Sequence, residues 1–236
     1  IIVVDDGSSE RFASSPVATA PHRRYPLLVV ESASGGARGI PRNLGARIAR
    51  GNVLVFLDAD ACPGRRLVST HHAVHACESD RVALGDCYVI RATETLEDPT
   101  TGVPFQDARA TPLALAGDTV APLIIPIDAV RALGDAALEP HAAKGIYPDT
   151  ERQQRQVEQM LVTAFPLAWV GAIPHNLSLR RSTFEAIGGF DTELRHLEGW
   201  DLGIRTLQLG KRLHWAEGAK SFHLFHARST LSQQES

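Results

Sequence analysis

Two acid pairs stand at the ends of apolar runs in the first quarter of the chain. Asp5 and Asp6 follow IIVV, and Asp58 and Asp60 follow NVLVFL. Side chains alternate with period two along an extended backbone, so Asp58 and Asp60 point the same way. Carboxylate oxygens so placed suit a hard cation, Mn2+ or Mg2+, bound together with a diphosphate. Such a cation would neutralise charge on a departing phosphate oxygen. The plainer alternative is that Asp60 caps a turn or the next helix, since Pro63 and Gly64 follow. Far downstream lie further acids, Glu198 and Asp201 in LEGWDLGIR, and a histidine pair, His223 and His226 in SFHLFH.

These residues need elements to position them. IIVV (1–4), LLVVE (27–31) and NVLVF (52–56) read as buried strands. A Gly-rich loop over 32–40 leads into a helix from about Pro41, with Leu44 and Ile48 on its apolar face and Gly51 as its stop. The order β, β, α, β predicts a parallel α/β sheet with crossover helices. Ligands of such sheets bind beyond the carboxyl ends of the strands, where both acid pairs sit.

Residues 61–79 read as loop then helix, and 82–93 as a strand. Residues 94–148 read as an insertion of loops and short helices. A strongly amphipathic helix is predicted over 150–165, with Thr150 as its cap and Val157, Met160, Leu161 and Ala164 on one face. A short strand, a helix at 182–187 and a Gly-Gly turn follow. A helix over 201–210 ends at Gly210, and two short strands fill 211–226.

The bulk numbers exclude several classes. The 236 residues are 44% hydrophobic and 22% charged, with formal net charge -3. That is ordinary globular composition with length for a sizeable core. No basic run points to nucleic acid. The best apolar stretch, 120–130, is too short for a membrane span and is broken by Pro122 and Pro126. Cys62, Cys77 and Cys87 are odd in number and not in metal-ligand spacing, so they read as free thiols of a reducing, cytoplasmic compartment.

VVDDGSS, PRNLGARIARGNVLVFLDAD, NLSLRRSTFEAIGGFD, EGWDLGIR and FHLFH occur in this order. Each is weak alone, but the ordered set resembles a family 2 glycosyltransferase of the GT-A fold over roughly residues 1–90 and 168–226. The resemblance implies a GT-A, Rossmann-like α/β fold: a mostly parallel sheet flanked by helices, with an inserted helical and loop segment. It implies one domain over 1–236, with a nucleotide-binding half (1–93), a variable insertion (94–167) and an acceptor and catalytic half (168–236). The family's first strand and helix are expected upstream of Ile1. Asp5, Asp6, Arg42 and Asn43 would then line the nucleotide, and Asp58 the ribose. Asp60 would hold Mn2+ or Mg2+ with His223 or His226. Gly188, Gly189, Phe190 and Asp191 would border the sugar and acceptor. The base would be Glu198 or Asp201. Gly199 stands where the family carries its usual aspartate, which leaves a third possibility, a lost base.

The implied activity is inverting transfer of a sugar from a nucleotide sugar, with UDP the expected nucleotide, to an acceptor hydroxyl. The acceptor could be a small molecule, a glycan, a lipid-linked sugar or a peptide. The alternatives are a nucleotide-sugar-binding scaffold whose chemistry is lost and a nucleotidyltransferase. The latter should carry a Gly-rich, basic loop after its first strand, whereas DDGSS follows the first visible strand here. A dehydrogenase is disfavoured, since no GxGxxG follows a strand.

Other features have plain readings. His71 and His75 of HHAVH share a helical face and could bind a metal, but an exposed helix is the simpler expectation. SGGARG (34–39) could cradle phosphate or give a flexible approach to the helix, with Arg38 reaching the donor. Trp169 and Trp200 could stack on sugar rings, with core packing the usual fate of Trp, and Trp200 either packs or lines the acceptor site. His214 is structural. The insertion either shapes the acceptor site or mediates homodimer contacts.

Overall fold

The computed structural model of the chain describes residues 1–8, 11–20, 25–32, 36–78, 80–90, 125, 127–145 and 150–224. The strands are β1 (Ile2–Asp5), β2 (Leu28–Glu31), β3 (Val53–Leu57), β4 (Ala61–Pro63), β5 (Arg81–Ile90), β6 (Ala142–Lys144), β7 (Asn176–Arg180) and β8 (Arg212–Leu224). The helices are α1 (Pro16–Thr19), α2 (Gly39–Ile48), α3 (Leu67–Cys77), α4 (Ile127–Leu133), α5 (Asp135–Leu138), α6 (Glu151–Val162), α7 (Arg181–Ala186) and α8 (Glu198–Gln208).

β1 and β2 form a parallel pair. The main sheet runs β3-β7-β5-β8-β4, with β6 also on β5. β5 is parallel to β8, and the other pairings in this sheet are antiparallel, so the α/β sheet is mixed. β5 sits at its centre and is buried along almost its whole length, which explains its unbroken apolar reading.

Residues 212–224 form one strand, where the sequence predicted two short ones. A bulge makes the difference. The register jumps from Gly85↔Ala216 to Asp86↔Lys220. Asp86 holds the bulge, its carboxylate accepting from Trp215 Nε1 at 2.8 Å and from the Gly218 amide at 2.7 Å. Gly218 adopts φ +84°, a backbone open to glycine. The chain therefore reads as interrupted while the strand continues.

The main core joins Leu84, Leu177, Leu179, Phe184, Phe190 and Leu202 under α2, α6, α7 and α8. A second cluster, with Ile90, Leu138 and Phe222, lies under α4 and α5. The described part of the 94–167 segment thus packs on the sheet. Within it, Ala164 falls outside α6 and is exposed, and Thr150 makes no side-chain capping bond. α2 ends at Ile48, where Ala49 turns extended, before the expected Gly51.

The exposed-helix reading of HHAVH is overturned. Of its three histidines only His72 is exposed, while His71 and His75 are 0% and 1% exposed. α3 lies across the sheet, and its histidines are used in a polar network. His75 Nε2 donates to Ser178 Oγ (2.8 Å), and that hydroxyl donates to His71 Nδ1 (2.7 Å). His71 Nε2 donates to Asn176 Oδ1 (2.8 Å). A buried polar group is tolerated when partnered in this way. Among the described residues, no helix is long and apolar enough to cross a membrane.

Candidate active site

The Asp58–Asp60 segment follows β3 directly. β7 runs antiparallel to β3 with Leu57 opposite Asn176, so His175 faces Asp58 across the strand ends. The Asp58 amide meets the His175 carbonyl at 3.4 Å, and Asp58 Oδ2 lies 3.6 Å from His175 Nδ1. β4 pairs with β8, Ala61 opposite His223, and this sets Asp60 Oδ2 3.2 Å from His223 Nε2. The two imidazoles meet edge to face at 5.4 Å.

Ligand atoms of Asp58, Asp60 and His175 all lie within 4.8 Å of one another. His175 is buried, and its Nε2 has no hydrogen-bond partner among the described residues. Two carboxylates and an imidazole, one of whose ring nitrogens is unpartnered, fit a divalent cation. His175 is a site residue the motifs missed. Its signal was the PHN preceding a strand, visible only once that strand is paired antiparallel to β3. His226 lies outside the described residues.

Burial disfavours charge on Asp58, yet His175 and Arg42 beside it outweigh this and hold its carboxyl far below the usual range. His175 responds in the opposite sense. Burial would lower it, but Cys87 and Asp58 raise it.

Arg42 joins this cluster to α8. Its Nη2 donates to Asp58 Oδ1 at 2.7 Å and its Nη1 to Glu198 Oε1 at 2.6 Å. Its guanidinium lies 5.7 Å from the Phe190 ring centroid. α8 starts at Glu198, three residues before the predicted start, after Leu197 in a left-handed conformation. This places Glu198 in the first turn, where the helix macrodipole favours an acid. Glu198 is only 4% exposed.

Asp201, the other base candidate, is turned elsewhere. It pairs with Arg205 one turn on, and Arg205 also donates to the carbonyls of Ile187 and Gly189. This pair braces the Gly-Gly loop. Gly199 carries no side chain because none fits: a Cβ there would stand 2.1 Å from the Ala172 carbonyl oxygen and 2.5 Å from Pro174 Cδ.

The GGFD loop is fixed from below by Asn43. Asn43 Nδ2 donates to the Phe190 carbonyl (2.8 Å), and Asn43 Oδ1 accepts from the Phe190 amide (2.9 Å). Both ends of that amide thus serve the loop. The structure gives Asn43 a scaffolding contact where the resemblance implied a nucleotide contact. Gly188 and Gly189 both take φ +78°. Phe190 is core, packed against Phe56 and Phe184. Asp191 is exposed, accepting from the Glu193 amide. Trp200, 37% exposed, meets Trp169 edge to face at 5.8 Å.

Asp5 is also spent locally. Its carboxylate accepts from the amides of Ser8 (3.0 Å) and Phe12 (2.8 Å). The Ser8 side chain first, and then these two amides, lower its pKa. Asp6, partly exposed beside it, is the member of the pair left nearer the surface.

Comparisons with known proteins bear on the family and the fold. The model for glycosyl transferase family 2 matches residues 1–117. Validoxylamine A glucosyltransferase of Streptomyces hygroscopicus subsp. jinggangensis is 27% identical over 216 residues, 91% of this chain and 43% of that protein. This chain therefore spans less than half the length of that relative. S. aureus TarS 1–349 in complex with UDP-GlcNAc matches with TM-score 0.54 and 14% identity, over 98% of this chain and 51% of that one. GalNAc-T7 with UDP, GalNAc and Mn2+ matches with TM-score 0.54 and 14% identity, over 96% and 37%. At this identity the structural likeness establishes the fold. The fold is GT-A. Over residues 1–117 the chain belongs to glycosyl transferase family 2.

Proposed function

We propose that this domain transfers a sugar from a nucleotide-sugar donor, with UDP as its nucleotide, to an acceptor hydroxyl, with inversion and with help from a divalent cation. One observation carries the reading: a single guanidinium joins Glu198 at the start of α8 to Asp58 at the end of β3. This link between the start of α8 and the end of β3 supports a base and a donor-side acid acting at one site.

Glu198 takes the acceptor proton as the hydroxyl oxygen bonds to the anomeric carbon and the bond to the diphosphate oxygen breaks. The nucleoside diphosphate leaves with the electron pair. Asp60 and His175 would hold Mn2+ or Mg2+, flanked by Asp58 and His223. When bound, the cation neutralises charge on the leaving diphosphate. Asp6 borders the base of the nucleotide, and Asp58 the ribose. Trp200, exposed two residues on from Glu198 and packed edge to face on Trp169, offers a flat surface to an acceptor sugar. Support for a UDP donor comes from TarS, whose structure holds UDP-GlcNAc, and from GalNAc-T7, whose structure holds UDP and Mn2+.

The test is calorimetric titration with UDP, GDP and dTDP, each with and without Mn2+. Metal-dependent binding of UDP, lost in Asp60→Ala, is expected. The anomeric configuration of the product, read by NMR, then decides inversion. Absence of binding to all three nucleotides would sink the donor site and leave a scaffold of the same fold.

A further inference from the structure

Arg42 belongs to a motif that the resemblance assigned to the nucleotide, yet its nitrogens are committed to two carboxylates. Nη1 serves Glu198 and Nη2 serves Asp58. The arginine side chain is 17% exposed and that of Glu198 6%. The guanidinium is also held over Phe190, whose backbone the adjacent Asn43 clamps at both N–H and C=O. Arg42 itself is therefore fixed by the loop, and it in turn fixes Glu198.

We propose that Arg42 is a positioning residue that sets the base Glu198 against the donor-side acids, and is not a ligand of the nucleotide. The inference rests on the reading of Glu198 as the base. The planar fork meets the two carboxylates through separate nitrogens in fixed directions. A lysine offers the same charge as a single point and does not reproduce that two-nitrogen geometry. Without the bridge, a glutamate in the first turn of α8 has three rotatable bonds and no cation to choose among its rotamers. A general base must lie within hydrogen-bond reach of the proton it takes, so freedom here is lost rate.

Crystal structures of the wild type and of Arg42→Ala test this first. The expected result is a Glu198 carboxylate displaced by more than about 1 Å, the scale at which misplacement costs roughly 100-fold in rate. A Glu198 that keeps its place without Arg42 overturns the proposal. The second readout separates binding from turnover. UDP affinity in the presence of Mn2+, measured by calorimetry, should change less than about threefold in Arg42→Ala and Arg42→Lys, while kcat falls about 100-fold in both. Millimolar guanidinium should restore part of the lost kcat to Arg42→Ala and none to Glu198→Gln. Loss of UDP affinity with kcat unchanged would make Arg42 a donor ligand and overturn the proposal. A displaced carboxylate together with full turnover in Glu198→Gln would instead refute Glu198 as the base and leave the structural bridge standing.

Discussion

Gly199 lies against Ala172 so closely that a Cβ on it would stand 2.1 Å from the Ala172 carbonyl oxygen. The start of α8 therefore packs backbone to backbone on the 172–174 segment. Any side chain at 199 must push the helix away or disrupt that segment. Gly199→Ala should destabilise the fold by about 1–3 kcal/mol, the usual range for overpacking a tight contact. Gly199→Asp should lower the melting temperature at least as much and should not raise turnover. A Gly199→Asp protein that is as stable as the wild type and more active would show that the base had been lost at this position.

The two remaining acids of the motif should separate cleanly. Glu198→Gln keeps the shape and removes the base, so turnover should fall about 100- to 10,000-fold, the span of general-base effects. Asp201→Asn loosens the Arg205 brace behind the Gly-Gly loop and should alter turnover only severalfold. Steady-state kinetics on the two variants decides the assignment, and a reversed ranking would transfer the role to Asp201.

Strand pairing brings His175 to Asp58 and Asp60, and if the three hold a cation its loss should be felt there. Mn2+ binding, followed by electron paramagnetic resonance, should weaken at least about tenfold in His175→Ala and be lost in Asp60→Ala. An unchanged Mn2+ affinity in His175→Ala would leave the cation to Asp60 and His223.

Acid should weaken the fold through α3. Burial, followed by the neighbouring His71 and Arg180 charges, lowers the His75 pKa to about 4. An unfolded histidine titrates near 6.5. Between those values the unfolded chain takes up a proton that the native state refuses, so stability falls as pH drops from about 6.5 to about 4. By pH 5 the loss from this one group is about 2 kcal/mol. Urea midpoints at pH 7.5 and pH 5 should therefore differ less in His75→Gln than in the wild type. Equal differences would remove His75 as the source.

The clamp on the GGFD loop can be weighed directly. Asn43→Ala leaves the Phe190 amide and carbonyl without their side-chain partner, at a cost of about 1–3 kcal/mol. Thermal unfolding should register this, and turnover should fall with it, because Phe190 also supports Arg42. A variant as stable as the wild type would mean that the loop holds itself.

Much of this was written locally. Apolar runs ending in acids gave β1 and β3, and the 3.6-residue periodicity gave α2 and α6. Local signals also explain the errors. A bulge made β8 look like two strands, because the side chain that holds it, Asp86, lies on the partner strand. HHAVH looked like a polar helix face, because the groups that make burial tolerable, Ser178 and Asn176, lie more than a hundred residues away.

The sequence by itself determined the α/β layering, the strand-end acids and the ordered motifs that mark the family. These depend on residue spacing along one segment, where periodicity and turn chemistry act over a few residues. Tertiary structure alone decided which residues meet. It brought His175 to Asp58 through antiparallel pairing, spent Asp5 and Asn43 on backbone, turned Asp201 to Arg205, and excluded a side chain at 199. Each outcome depends on a partner distant in sequence, and pairing register and close packing choose such partners only when the whole chain is folded.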